Sequence, residues 1–183
     1  MQIDKESGLL VDVPYHCSPN HDARPDEYDI AGIVIHNISL PPGEFGGGWI
    51  DDLFLNQLDP AAHPYFATIS ELEVSSHVLI RRDGSVIQYV PFHRRAWHAG
   101  ASNWDGRERC NDFTIGIELE GSDDQYFELV QYQQLAEVVA SLCECYQDLN
   151  TQQIKGHSDL SPGRKTDPGA YFDWEKLYTL LRE

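Results

Sequence analysis

Four side chains in two separated segments have types that could hold a metal ion and act beside it. The first is His36, which closes an apolar run. The others lie together in residues 156–169, as His157, Lys165 and Asp167. Two imidazoles and one carboxylate form the ligand set of a catalytic zinc, which leaves the fourth tetrahedral position for water. The sequence therefore predicts a zinc hydrolase that binds one Zn²⁺ per chain through His36, His157 and Asp167.

Each member of this set also has an ordinary structural explanation. The chain contains 8 histidines, and a single histidine is more often a surface or buried core residue than a ligand. Residues 156–169 form a loop because proline and glycine recur there, at Pro162, Gly163, Pro168 and Gly169. The alternative for this segment is a solvated turn, although functional side chains also concentrate on loops held by a rigid scaffold.

A zinc hydrolase also needs a general base and a group that stabilises developing negative charge. Side chains alternate between apolar and other types from Phe113 onwards, so that Glu118 and Glu120 share one strand face, roughly 7 Å apart. Either carboxylate could be the base, and either could be an exposed or salt-bridged strand residue. Lys165 could approach an oxyanion, or could be a solvated loop lysine.

The surrounding pattern predicts the strands that would position these residues. Residues 31–36 are apolar at nearly every position, as in a strand covered on both faces, with His36 emerging at its end. Residues 37–48 contain three consecutive glycines, and we interpret them as a mobile flap. Residues 76–81 and 85–90 flank an Asp-Gly pair, which is a strong hairpin signal.

Helical patterns complete the predicted fold. Apolar residues recur at helical spacing from about 128 to 148, residues 49–58 suggest a short helix, and Asp173 could cap a last one. Strands and helices mixed in this order predict the α/β (α+β) class, with a central mixed β-sheet flanked by helices. We expect residues 1–183 to form a single domain, with residues 1–29 as an extended arm over the surface.

Charge and composition restrict the partners. A net charge of −17 disfavours nucleic acid, whose binding depends on neutralising phosphates, and it also disfavours an anionic membrane or wall surface. No stretch approaches the ~18 apolar residues of a membrane span, and no secretory signal is visible. We interpret the four cysteines as reduced thiols. We therefore expect a cytoplasmic monomer that acts on a small-molecule substrate.

Three longer strings resemble a known family. They are Ile-His-Asn-Ile-Ser-Leu-Pro-Pro-Gly-Glu-Phe-Gly-Gly at 35–47, Gly-Arg-Glu-Arg-Cys-Asn-Asp-Phe-Thr-Ile-Gly-Ile-Glu-Leu-Glu-Gly at 106–121, and Arg-Lys-Thr-Asp-Pro-Gly at 164–169. Over about residues 10–175 the chain resembles the amidase-2 and peptidoglycan-recognition family. The resemblance implies that family's fold and a cytoplasmic enzyme that cuts the amide between 1,6-anhydro-N-acetylmuramic acid and L-alanine of muropeptides. It also implies a place in peptidoglycan recycling and in the regulation of β-lactamase induction.

The resemblance assigns roles to single residues. It implies the same three zinc ligands, Glu118 rather than Glu120 as the proton acceptor, and Lys165 as the stabiliser of the transition state. Asn37 and Arg109 match positions that contact substrate, and the planar guanidinium of Arg109 would suit a carboxylate of the peptide stem. The alternative for Arg109 is a surface ion pair.

An aromatic segment resembles one beside the family's active site. Trp97, which precedes His98, could stack on a sugar face or pack in the core. Two other functions remain open: a peptidoglycan-binding module without catalysis, and a secreted or phage-type amidase that acts on intact wall. The complete ligand set argues against the first, and the negative charge argues against the second.

Overall fold

The fold is given by a computed structural model that describes residues 1–182. Its strands are β1 (Ile3–Asp4), β2 (Leu9–Leu10), β3 (His21–Ala23), β4 (Gly32–Ile38), β5 (Val78–Ile80), β6 (Val86–Gln88), β7 (Arg94–Ala96), β8 (Asn103–Trp104), β9 (Arg107–Glu108), β10 (Thr114–Glu120) and β11 (Ile154–Gly156). Its α-helices are α1 (Trp49–Phe54), α2 (Leu129–Cys145), α3 (His157–Leu160) and α4 (Trp174–Leu180), and short 3₁₀ helices cover Phe66–Thr68 and Cys110–Asp112. No helix of the described residues is both long and apolar enough to cross a membrane.

A five-stranded sheet forms the centre, in the order β11-β4-β10-β5-β6. β4 and β10 run parallel along their whole length, and β11 and β5 extend the parallel part on either side. β6 pairs antiparallel with β5 through the predicted hairpin. The mixed sheet is therefore confirmed, and the apolar run at 31–36 belongs to a strand enclosed by neighbours on both sides.

The two faces of the sheet differ in the side chains that they present. One face packs against α2 and α4 through a continuous apolar cluster that includes Ile33, Ile35, Ile115, Ile117 and Leu119. The opposite face of β10 presents the intervening residues because successive side chains of a strand point to opposite sides. These residues are Thr114, Gly116, Glu118 and Glu120. The alternation predicted from the sequence thus separates the core from a polar face.

The predicted helices form with small changes of length. The helix expected at 128–148 is α2, and the Glu128 backbone N–H donates to Gln131 Oε1 at its start (3.0 Å). Asp173 caps α4, because its carboxylate accepts from the Lys176 backbone N–H (2.9 Å). The helix expected at 49–58 is shorter and ends at Phe54.

The N-terminal segment is more integrated than an extended arm. β1 pairs with β2, and β3 pairs with β7. Arg24 is buried, and its guanidinium donates to the backbone carbonyls of Phe92, Asn111, Asp112 and Thr114. The expectation of a surface arm was wrong at these positions, because these hydrogen bonds join the segment to the interior.

His36 does not close its strand as expected. β4 continues to Ile38, because pairing with β10 persists as far as Glu120. The predicted flap therefore begins at Ser39 rather than at residue 37. The Gly46 backbone N–H donates to Glu120 Oε1 (2.7 Å), which ties this loop to the polar face of β10.

Candidate active site

The three residues predicted to bind zinc meet at the carboxyl end of the parallel strands. His36 lies near the end of β4, His157 begins α3 directly after β11, and Asp167 lies on the loop after α3. One potential ligand atom from each residue lies within 4.8 Å of the others. Asp167 Oδ2 is 2.9 Å from His36 Nδ1 and 3.0 Å from His157 Nδ1. The fold thus gathers two distant segments into one cluster.

The hydrogen bonds of His157 fit a cation in this cluster. Its Nε2 lies 3.0 Å from the Ala99 carbonyl oxygen, which can only accept, so Nε2 carries the hydrogen. In the neutral ring Nδ1 then has a lone pair, and that lone pair faces an oxygen of Asp167. Two acceptors at this distance repel unless a cation lies between them. A neutral imidazole and a carboxylate are ligands that Zn²⁺ accepts.

Protonation also suits metal binding, which requires neutral imidazoles and an ionised carboxylate. Burial lowers the pKa of His36 to about 4, although the nearby Asp167 carboxylate opposes this shift. Burial alone would raise the pKa of Asp167, but the adjacent imidazoles of His157 and His36 outweigh burial and hold the pKa below its ordinary value. His36 and Asp167 therefore have the protonation states of metal ligands near neutral pH.

Glu118 projects from β10 beside His36, its partner in the parallel register. Its side chain is buried, and Oε2 has no hydrogen-bond partner among the described residues. Burial raises the pKa of Glu118 well above its ordinary 4.5; Asp167 raises it further, whereas the Lys165 ammonium lowers it. A buried carboxyl group with a raised pKa and a free oxygen has the properties of a general acid–base group.

Glu120, two residues along the same face, has its oxygens occupied. Oε1 accepts from the Gly46 backbone N–H (2.7 Å) and from Arg81 Nη1 (3.3 Å), and Oε2 accepts from the Arg82 backbone N–H (3.1 Å). These contacts hold the 39–48 loop against the β5–β6 hairpin. The structure therefore gives the two carboxylates different surroundings, which alternation alone does not distinguish.

A cavity of about 560 Å³ opens in front of the cluster. His36, His157 and Asp167 line it together with Glu118 and Lys165. Lys165 lies on the exposed loop between α3 and Asp167, and its backbone N–H donates to the Ser161 carbonyl (3.0 Å). Lys165 lines the cavity and is exposed, so its ammonium can approach a group bound there.

Two of the three predicted substrate contacts line the cavity. Asn37 donates from Nδ2 to Asp123 Oδ1 (2.7 Å), and its other amide atom remains available to a ligand. Trp97 also lines the cavity. Arg109 does not: its side chain is 70% exposed and pairs with Asp112 (3.0 Å). Its backbone is left-handed (φ 60°), an uncommon conformation for arginine.

The sequence did not reveal several residues of the site. The sequence pattern assigns no role to His98, which follows Trp97, yet its Nδ1 lies 2.9 Å from His36 Nε2. One wall of the cavity is apolar and consists of Leu40, Leu53, Phe54, Ile69, Leu72 and Val74. These apolar residues come from separate segments and carry no motif, so no pattern in the sequence marks them.

Comparison of sequences identifies relatives along almost the whole chain. The pattern of the family described as N-acetylmuramoyl-L-alanine amidase (Amidase_2) matches residues 26–170. The 1,6-anhydro-N-acetylmuramyl-L-alanine amidase AmpD of Escherichia coli strain K12 is 56% identical over 176 residues, which cover 96% of each chain. The match includes every segment that contributes to the cluster.

Solved structures agree with this relationship. The crystal structure of a selenomethionine derivative of AmpD has a TM-score of 0.95 and 54% identity, and the match covers 99% of both chains. A complex of the amidase AmiD from E. coli with anhydro-N-acetylmuramic acid-L-Ala-D-γ-Glu-L-Lys has a TM-score of 0.61 and 30% identity. That match covers 97% of this chain and 65% of AmiD.

Proposed function

The chain belongs to the N-acetylmuramoyl-L-alanine amidase family, and we propose that it is a zinc-dependent amidase of peptidoglycan recycling. It hydrolyses the amide between 1,6-anhydro-N-acetylmuramic acid and the L-alanine of muropeptides. One observation carries the proposal of a zinc-dependent mechanism. The buried carboxylate of Glu118, with one oxygen unpartnered, borders the cavity in which His36, His157 and Asp167 converge.

Different residues of the cavity have different roles in amide hydrolysis. A zinc ion held by His36, His157 and Asp167 would supply a Lewis acid that polarises the carbonyl and lowers the pKa of water. Glu118 takes the proton of the attacking water and returns it to the leaving nitrogen, a role that its raised pKa supports. Lys165 places a positive charge beside the oxyanion that develops on the carbonyl oxygen.

The relatives support a small, soluble substrate. The names of AmpD and the AmiD complex both refer to anhydromuramic acid linked to L-alanine. In our proposal Asn37 contacts the substrate near the scissile bond, Trp97 contacts the sugar, and Arg109 reaches the stem peptide from outside the cavity. We propose that residues 1–183 act as one domain and as a monomer, in the cytoplasm, where removal of anhydromuropeptides would also limit β-lactamase induction.

Parallel digestion of two substrates tests the function. Purified protein is incubated with anhydromuramoyl-tripeptide and with intact sacculi, and released peptides are measured by mass spectrometry. We expect free tripeptide from the soluble substrate and little release from sacculi. Binding without cleavage would support a recognition module, and comparable digestion of sacculi would support a wall-lytic enzyme; either result contradicts the proposal.

Metal content tests the ligand set separately. Elemental analysis should find one zinc per chain in the wild-type protein. His36→Ala should remove both zinc and activity while circular dichroism reports an intact fold. The matched control is His63→Ala, because His63 lies on a loop outside the cavity lining. Full zinc occupancy in His36→Ala would contradict the assignment.

A further inference from the structure

A histidine that is not in the ligand set lies beside the cluster and also lines the cavity. His98 Nδ1 is 2.9 Å from His36 Nε2, the ring nitrogen on the side opposite Asp167. The other nitrogen of His98, Nε2, is 3.4 Å from Thr114 Oγ1. Thr114 Oγ1 is itself 2.7 Å from the Cys110 carbonyl oxygen. Three side chains therefore form a continuous chain of contacts from a backbone carbonyl to His36.

The Cys110 carbonyl determines which atom carries the hydrogen in each of these contacts. The Cys110 carbonyl can only accept, so the single hydroxyl hydrogen of Thr114 is donated to it. Thr114 Oγ1 can then only accept from His98, which places the hydrogen of the neutral His98 ring on Nε2. His98 Nδ1 is left with a lone pair, and it accepts from the Nε2–H of His36.

We propose that His98 and Thr114 are positioning residues that fix the tautomer of His36. With its hydrogen held on Nε2, the His36 ring directs the Nδ1 lone pair towards Asp167 and His157, where the metal would bind. A ligand histidine commonly donates its second N–H to a carboxylate, carbonyl or water. Here the acceptor is another histidine, whose own tautomer is set by a threonine. The inference rests on the zinc site of the proposed function.

The second histidine ligand is oriented by the next residue of the same segment. His157 Nε2 donates to the Ala99 carbonyl (3.0 Å), one residue after His98. The backbone N–H groups of His98 and Ala99 both donate to Asn111 Oδ1, at 3.2 and 2.8 Å. Asn111 therefore holds one short segment that orients both imidazoles.

The polar face of β10 leaves room for this arrangement. A Cβ atom at Gly116 would lie 2.4 Å from Cγ of His98. Only glycine allows the ring to lie against the strand between Thr114 and Glu118. The close approach of the His98 ring therefore explains why β10 has a glycine at position 116, whereas its neighbours on this face carry side chains.

Zinc affinity is the first test, with the metal itself as the probe. Competition with a chelator should give a zinc dissociation constant about 10–100-fold higher for His98→Phe than for wild type, the range for loss of an outer-shell partner. His98→Asn should recover most of the affinity, because its Oδ1 can accept where Nδ1 did. Thr114→Val should weaken binding, Thr114→Ser should restore it, and the surface control Thr179→Val should change nothing.

Nitrogen NMR of the zinc-loaded protein is the second test, because a merely structural role would not set a tautomer. We expect His98 as the Nε2–H tautomer, with a coupling across the hydrogen bond between His36 Nε2 and His98 Nδ1, and a loss of this tautomer in Thr114→Val. A hydrogen on His98 Nδ1 in the wild-type protein would overturn the inference. So would wild-type zinc affinity in folded His98→Phe and Thr114→Val. If the wild-type chain bound no zinc, the proposed function itself would fail.

Discussion

Glu118 lies directly beside His36 in the parallel register of β10 and β4. Paired residues of neighbouring strands point to the same face, so the carboxylate and the imidazole emerge together above the sheet. Along this face of β10, Thr114 contacts His98, Gly116 makes room for that ring, Glu118 borders the cavity, and Glu120 anchors the loop. The four residues on this face of β10 therefore each contribute to the site in a different way.

Replacement of Glu118 and of Glu120 by glutamine should have different effects. Glu118→Gln should lower kcat by about 10²–10⁴ with zinc retained, because a general base is lost. Glu120→Gln should mainly destabilise the fold, by about 1–3 kcal/mol, since an amide nitrogen would face donors that the carboxylate now satisfies. Steady-state kinetics and thermal unfolding measure both effects. A larger kcat loss in Glu120→Gln would show that the base is misassigned.

The raised pKa of Glu118 has a consequence for the stability of the metal-free protein. The folded state keeps a proton on Glu118 that the unfolded chain releases near its ordinary pKa of 4.5. The folded state then binds more protons than the unfolded state, so stability falls as pH rises from about 4.5 through the folded pKa. Glu118→Gln should remove this fall. Urea unfolding over a pH series measures it, and identical pH dependence in both proteins would contradict the burial argument.

Lys165 should matter for turnover rather than for metal binding. The carbonyl oxygen carries more negative charge in the transition state than in the substrate, so a nearby cation selectively stabilises the transition state. Lys165→Ala should lower kcat by about 10²–10³ with little change in KM or zinc content. Lys165→Arg should recover little, because a planar fork does not replace a compact charge. Lys176→Ala on α4 is the control, and a defect confined to KM would assign Lys165 to binding alone.

Arg109 should affect substrate binding although it lies outside the cavity lining. Loss of a charge-assisted contact to a stem-peptide carboxylate costs about 1.5–3 kcal/mol, which should appear in KM. Kinetics of Arg109→Ala with anhydromuramoyl-tripeptide measure this cost. Arg107→Ala is the matched control, because Arg107 pairs with Asp29 on the surface. An unchanged kcat/KM in Arg109→Ala would contradict a substrate contact and would mean that Arg109 forms only its ion pair with Asp112.

The sequence by itself determined the elements and the chemistry of the ligands. Period-two alternation from Phe113 onwards is a local property, so it correctly predicted the buried and polar faces of β10. The Asp-Gly hairpin and the Asp173 cap also depend on neighbouring residues only. The residue types of His36, His157 and Asp167 suggested a zinc site before their distances were known, and the longer strings indicated the family.

Only the tertiary structure decided what each polar group contacts. Glu118 and Glu120 are equivalent by alternation, and the resemblance alone favoured Glu118; their difference arises because Gly46, Arg81 and Arg82 approach one carboxylate and not the other. The contact of His98 with His36 and the burial of Arg24 are likewise long-range. Burial removes water as a partner, so the state of a buried polar group depends on residues that the fold brings near it, and no local pattern encodes these.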